Sequence, residues 1–251
     1  MQFFSYLING ISLGSVYALI ALGYTMVYGI AKMLNFAHGD VIMIGSYVVY
    51  FAFGASGLNP VLSIVLSMIV CTILGVVIER LAYRPLREAP SLAVLITAIG
   101  VSYLLQQVAQ LSWSSNPKSF TSVVSGMKPV SLFGGQLTIS AETIVTIVAC
   151  VVIMVVLMWF VNYTPAGHAM LAVSEDRGAA QLMGVNVNGT ISLTFAIGSA
   201  LAAIAGALLC SSYPTLQPTT GAMPGIKAFV AAVFGGIGSI PGAMIGGFAI
   251  G

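Results

Sequence analysis

The sequence predicts an all-α, polytopic membrane protein, a bundle of about seven spanning helices, and three observations carry that prediction. Apolar residues make up 59% of the 251-residue chain and charged residues only 6%, too little polar surface to coat a water-soluble globule. Apolar runs recur that are long enough to cross the hydrocarbon, which takes about 20 residues. No stretch alternates as the wall of an outer-membrane barrel does, which leaves helices as the spanning element.

Taken in order, the runs place a first span within 3–30, a second at 41–57, a third at 60–79 and a fourth at 91–112. The amino terminus, "MQFFSYLINGISLG", lacks the basic region of a secretory signal and reads as the start of an uncleaved first span. Residues 113–140 carry Pro117, Gly126, Pro129, Gly134 and Gly135, which break periodicity and predict a folded extracytoplasmic loop. A fifth span runs over 141–162, a sixth over 190–211, and a seventh begins near 228 and reaches the last residue. Gly242 and Gly246, four residues apart, mark a close helix contact. Pro241 follows "GGIGSI" and predicts a broken or re-entrant helix, because proline interrupts the backbone ladder. The chain stops inside the apolar run "GGFAIG", so a truncated sequence is expected.

Lys/Arg placement sets the orientation. With 79–90 cytoplasmic, the connections at 31–40 and 163–189 share its side and collect Lys32, Arg80, Arg84, Arg87 and Arg177, against Lys118, Lys128 and Lys227 outside. Net charge near balance and no basic run give no sign of nucleic-acid binding. Cys71, Cys150 and Cys210 each sit in an apolar run and read as small hydrophobic fillers rather than a disulfide framework or metal site.

Three polar segments interrupt this pattern. In "NFAHGD", Asp40 precedes the second span, where its carboxylate suits the free N–H groups of a helix start, and Asn35 and His38 suit the open carbonyls ending the first. Asn35, His38, Gly39 and Asp40 thus fit a structural hinge; they also fit a break within the membrane whose polar groups line a translocation path. The hinge is favoured, because a conduit that never binds its solute tightly needs few polar groups. The group Glu79, Arg80, Arg84, Arg87 and Glu88 reads as a topology anchor and a solvated charged turn. Glu142 reads as an interfacial carboxylate. Residues 163–189 form the longest cytoplasmic stretch, in which 168–183 predict a short amphipathic helix with Met170, Ala179, Leu182 and Met183 apolar, Glu175, Asp176 and Arg177 polar, and Gly184 as a left-handed cap. Such a helix lies on the membrane surface or docks a cytoplasmic partner.

"AAQLMG" at 179–184 resembles the Ala-Ala-x-x-x-Gly core of the coupling loop in membrane subunits of bacterial ABC importers. "NGISLGSVYALIALGYTMVYGIAKMLNFAHGD", "IERLAYRPLR" and "AVFGGIGSIPGAMIGG" resemble, in order and across the whole chain, the permease subunit of the high-affinity branched-chain amino-acid importers. The resemblance implies a single transmembrane permease domain over 1–251 in a bacterial inner membrane, with one further helix beyond Gly251, about eight spans in all. It implies cytoplasmic ATPase subunits that bind the ATP and Mg, with no cofactor in this chain, a second, related permease subunit, and an extracytoplasmic substrate-binding protein. It makes Glu175, Asp176, Arg177, Ala179, Ala180, Leu182, Met183 and Gly184 the coupling residues. Two departures stand out: Gly178 replaces the family's Glu, and the proline expected after Gly184 is absent.

The chain holds no G-x-x-x-x-G-K-[ST] loop, and "GGIGSIPG" lacks the phosphate-reaching lysine. A secondary transporter or channel driven by an ion gradient is the rival, but such proteins place carboxylates or ion pairs within their spans, which here are nearly bare. No Ser/His/Asp or metal-ligand constellation points to an enzyme.

Overall fold

Residues 2–124, 129–132 and 137–251 are described by a computed structural model. Caps and prolines start the helices where the apolar runs begin. Asn59 accepts the N–H of Val61 at 2.9 Å ahead of Pro60, Ser140 accepts that of Thr143, Thr164 that of Gly167 ahead of Pro165, and Asn186 that of Gly189. Each satisfies an otherwise orphaned donor of a first turn.

The helices are α1 (Gln2–Ala31), α2 (His38–Val49), α3 (Pro60–Ile78), α4 (Ser91–Trp113), α5 (Ala141–Tyr163), α6 (Pro165–Glu175), α7 (Arg177–Leu182), α8 (Val187–Ser212), α9 (Ala222–Phe234) and α10 (Ile240–Ile250). Wider π turns extend α2 through Tyr50–Ala55 and α3 through Glu79–Tyr83, the latter followed by a tight turn over Arg84–Leu86. Among the described residues five helical stretches are long and apolar enough to cross a membrane: Tyr6–Ala31, Pro60–Leu86, Ser91–Trp113, Ala141–Tyr163 and Val187–Ser212.

The expected seventh span is not one continuous helix but is broken just before Pro241, as that proline predicted. It is a hairpin of the short helices α9 and α10, capped at the turn by Ser239 accepting the N–H of Gly242 at 3.2 Å. Gly236 and Gly238 in that turn have φ of +90° and +99°, a region that L side chains avoid and that ends any continuous helix. Gly242 lies on Gly235, and Gly246 on Ala231, so these small residues do form the expected contact, within the hairpin. The chain is also not purely helical. β1 (Lys118–Ser119) pairs antiparallel with β4 (Thr215–Leu216), tying the segment after α4 to the connection after α8, and β2 (Val130–Leu132) pairs with β3 (Leu137–Ile139). Gly126, Lys128, Gly134 and Gly135 lie outside the described residues.

Burial sorts the helices. The most apolar windows of α1 and α8 are 83% and 72% buried, whereas those of α3, α4 and α5 are 28%, 17% and 22% buried. The inner pair forms the core, and the outer three present Val61, Ile73, Leu104, Leu111, Val155 and Trp159 outward, as lipid-facing helices do. α10 runs antiparallel to α1: Gly238 lies beside Gly29, Gly247 beside Ala18 and Gly251 beside Gly14. All three cysteines are buried free thiols.

Candidate functional site

The "NFAHGD" break lies inside the bundle. After Ala31 the chain turns back, and the His38 ring packs 4.7 Å from the Tyr24 ring and directly against Gly23, where a Cβ would stand 2.5 Å from Nε2. Gly23 in turn faces Gly198, well within α8. α2 therefore starts beside the middle of α1 and α8 rather than at their ends.

The partners in this break differ from those expected of a simple hinge. Asp40 is buried and accepts from Gln106 Nε2 of α4 at 2.9 Å, and the start of α2 has no side-chain cap. Asn35 Oδ1 accepts the Tyr83 hydroxyl at 2.9 Å. Neither Asn35 nor His38 caps Ala31, because the chain reversal carries both into the core, where Asn35 meets Tyr83 of the π turn after α3 and His38 packs on Tyr24 and Gly23 of α1. The Ala31 carbonyl accepts instead from the Arg177 guanidinium.

A second half-length helix starts at the same place. Gly221 and Gly225, at the beginning of α9, lie against Gly39; a Cβ on Gly221 would stand 1.7 Å from the Gly39 carbonyl oxygen. Only paired glycines allow backbones so close. From this crossing α2 runs toward the C-terminal end of α4, where Tyr47 stacks 4.4 Å from Trp113, and α9 runs toward the C-terminal end of α1. The α9 start escaped sequence reading, although "TTGAMPG" carried the glycine and proline signal of a break.

The charged turn after α3 is only partly solvated. Arg80, Arg84 and Glu88 are exposed, but Glu79 is wholly buried, paired with Arg87 and accepting the Ser192 hydroxyl of α8 at 2.6 Å. Arg87 also donates to Asn188. The π turn beginning at Glu79 alters the helical register there, and the carboxylate meets α8 rather than water.

The segment after α5 forms two helices, not one. Asp176 leaves helical geometry and its Oδ1 accepts the N–H groups of Gly178 and Ala179 at 2.7 and 3.0 Å, starting α7 anew. Gly184 ends it with φ +86°, as expected. Met170 and Ala180 are buried; Glu175, Asp176 and Ala179 are exposed, and Leu182 and Met183 project at 90% and 84% exposure. Arg177 turns inward to α1, and burial, then the nearby Arg87 charge, lower its pKa from the ordinary guanidinium value. A cavity of about 400 Å³ lined by Tyr28, Lys32, Arg87, Ser91 and Arg177 separates this segment from α4.

In the first turn of α5 Glu142 accepts the Ser122 hydroxyl at 3.1 Å and borders a cavity of about 490 Å³ that also touches Asn9, Ser12 and Ser211. Among the described residues no group of three His, Cys, Asp or Glu side chains converges as metal ligands would.

Residues 6–251 match the family described as "Branched-chain amino acid transport system / permease component". The chain is 46% identical to the high-affinity branched-chain amino acid transport system permease protein BraD of Pseudomonas aeruginosa, over 98% of this chain and 83% of that protein. It is 43% identical to the corresponding permease protein LivH of Escherichia coli K12, over 100% of this chain and 84% of that one. It is 27% identical to the ribose import permease protein RbsC of Haemophilus influenzae, over 94% and 72%. No solved structure matches it.

Proposed function

This chain belongs to the permease-component family of branched-chain amino acid transport systems, and from that premise we propose that it forms one half of the membrane path of an ATP-driven importer of branched-chain or related apolar amino acids. A second, related permease completes the path, a soluble extracytoplasmic protein delivers the solute to the outer loops, and separate cytoplasmic ATPases bind the ATP and Mg. The absence of a phosphate-binding loop in this sequence supports assigning the nucleotide to other chains.

The observation that carries this reading is the construction of α7. A lever has to present a docking surface, stay rigid and be joined to what it moves. Leu182 and Met183 give an exposed apolar tip, the Asp176 cap and Gly184 fix both ends, and Arg177 joins the helix to the last carbonyl of α1. Glu175, Asp176 and Ala179 sit exposed beside the tip as further contacts, while buried Ala180 seats the helix on the bundle. Displacement of α7 then pulls on α1, whose core position transmits it to α8 and to the α2–α9 crossing. In that crossing Asn35, His38, Gly39 and Asp40 act as the hinge, with Asn35 Oδ1 held by Tyr83, Asp40 Oδ1 held by Gln106 of α4, and His38 Nε2 buried without a partner.

The test is uptake of radiolabelled leucine by vesicles containing the co-expressed complex, with the soluble receptor outside. Uptake is expected to require internal ATP and all subunits. Gradient-driven accumulation by this chain alone would establish the secondary-transporter alternative and overturn the reading.

A further inference from the structure

Lys227 stands in the second turn of α9 on an exposed face that also carries Met223, Ile226 and Val230, exposed at 62%, 51% and 50%. An ammonium on an apolar membrane helix is costly to leave against lipid and usually marks a cavity or a polar partner. The Lys227 Nζ donates to the Tyr17 hydroxyl at 3.3 Å and lies 5.6 Å from the centre of the Tyr17 ring. Tyr17 thus orients the ammonium without neutralising it. Among the described residues the only ion pair is Arg87–Glu79, far away at the inner face, so no carboxylate meets Lys227.

The same two residues border a cavity of about 310 Å³ between α1, the end of α8 and the start of α9. Lys227, the Tyr17 hydroxyl and Thr220 supply its polar groups; Leu13, Leu209 and Met223 supply apolar walls. Small-ligand sites combine such walls with a few polar groups that fix orientation, at volumes from about 300 Å³ upward. A cation at one end and aliphatic walls at the other match a small carboxylate bearing an aliphatic chain.

We propose that this cavity is a transient subsite on the translocation path, in which Lys227, steadied by Tyr17, takes the α-carboxylate of an apolar amino acid while Leu13, Leu209 and Met223 contact its side chain. The inference rests on the importer reading, and the exposed face of α9 is then the side covered by the second permease. A weak, solvated site suits a conduit, which has to release what it accepts.

The experiment uses the complete complex in vesicles, comparing wild type, Lys227→Arg and Lys227→Met for leucine uptake, receptor-independent ATP hydrolysis and subunit stoichiometry, and a diazirine analogue of leucine for photolabelling. Lys227→Met is expected to lower uptake about tenfold or more, as loss of a charge-assisted contact does, and to abolish labelling at Leu13, Leu209 or Met223. Lys227→Arg should retain most uptake, with ATP hydrolysis and stoichiometry unchanged in both variants. Wild-type uptake and labelling in Lys227→Met would overturn the subsite. So would loss of the second permease from the Lys227→Met complex, which would make the lysine an interface contact. A wild-type complex that takes up no leucine would overturn the importer reading itself.

Discussion

The Arg177 guanidinium, on the first residue of α7, donates to the carbonyl oxygen of Ala31, the last residue of α1. A helix of six residues is thereby fastened to the most buried of the five long helices. Cationic side chains commonly complete a helix C-terminus in this way, but here donor and acceptor belong to different helices. Replacing Arg177 with Met keeps the length of the side chain and removes the donor. The expected outcome is a complex that assembles normally and hydrolyses ATP, but whose leucine uptake per ATP falls severalfold. An unchanged ratio of uptake to hydrolysis would show that the contact transmits nothing.

Ala180→Pro tests the rigidity of α7. The Ala180 N–H donates to the Asp176 carbonyl at 3.0 Å; proline removes that bond and clashes with the preceding turn, at a cost of about 3 kcal/mol or more. Insertion of the permease should persist while receptor-stimulated ATP hydrolysis is lost, measured on the purified complex. Full stimulation would argue against coupling through this helix.

Asp40→Ala tests the hinge. It leaves Gln106 without its carboxylate acceptor inside the bundle, a loss of about 1–3 kcal/mol. A lower thermal midpoint in detergent and reduced assembly are expected. A variant of unaltered stability that nevertheless fails to transport would place Asp40 in the path instead.

Gly23→Ala tests the depth of the α1–α2 break. The new methyl would collide with the His38 ring, and overpacking of this kind costs about 1–3 kcal/mol. The thermal midpoint should fall, and adding His38→Ala should recover part of the loss by opening the space. Additive losses in the double variant would refute the contact.

Glu79→Ala leaves Arg87, only 12% exposed along its side chain, without its anion. Removing one member of a buried pair costs about 3–5 kcal/mol. The single variant should unfold well below wild type, and Glu79→Ala/Arg87→Met should regain much of the difference. A Glu79→Ala midpoint equal to wild type would mean that the pair is solvated after all.

The sequence by itself determined the membrane class, the five long helices and their limits, and the breaks at Asn35–Asp40 and Pro165–Gly184. Each follows from local quantities: run length against the thickness of the hydrocarbon, caps, and glycines able to take positive φ. It also carried the family resemblance, because those motifs are contiguous. Only the tertiary structure decided which groups meet: Asn35 with Tyr83, Asp40 with Gln106, Glu79 with Ser192, Arg177 with Ala31 and Gly39 with Gly221. These partners are far apart in the chain, and no local pattern encodes them. The final apolar run shows the same division: Pro241 marked a broken or re-entrant helix, but only the close packing of Gly242 on Gly235 and of Gly246 on Ala231 decided that the run folds back as the α9–α10 hairpin.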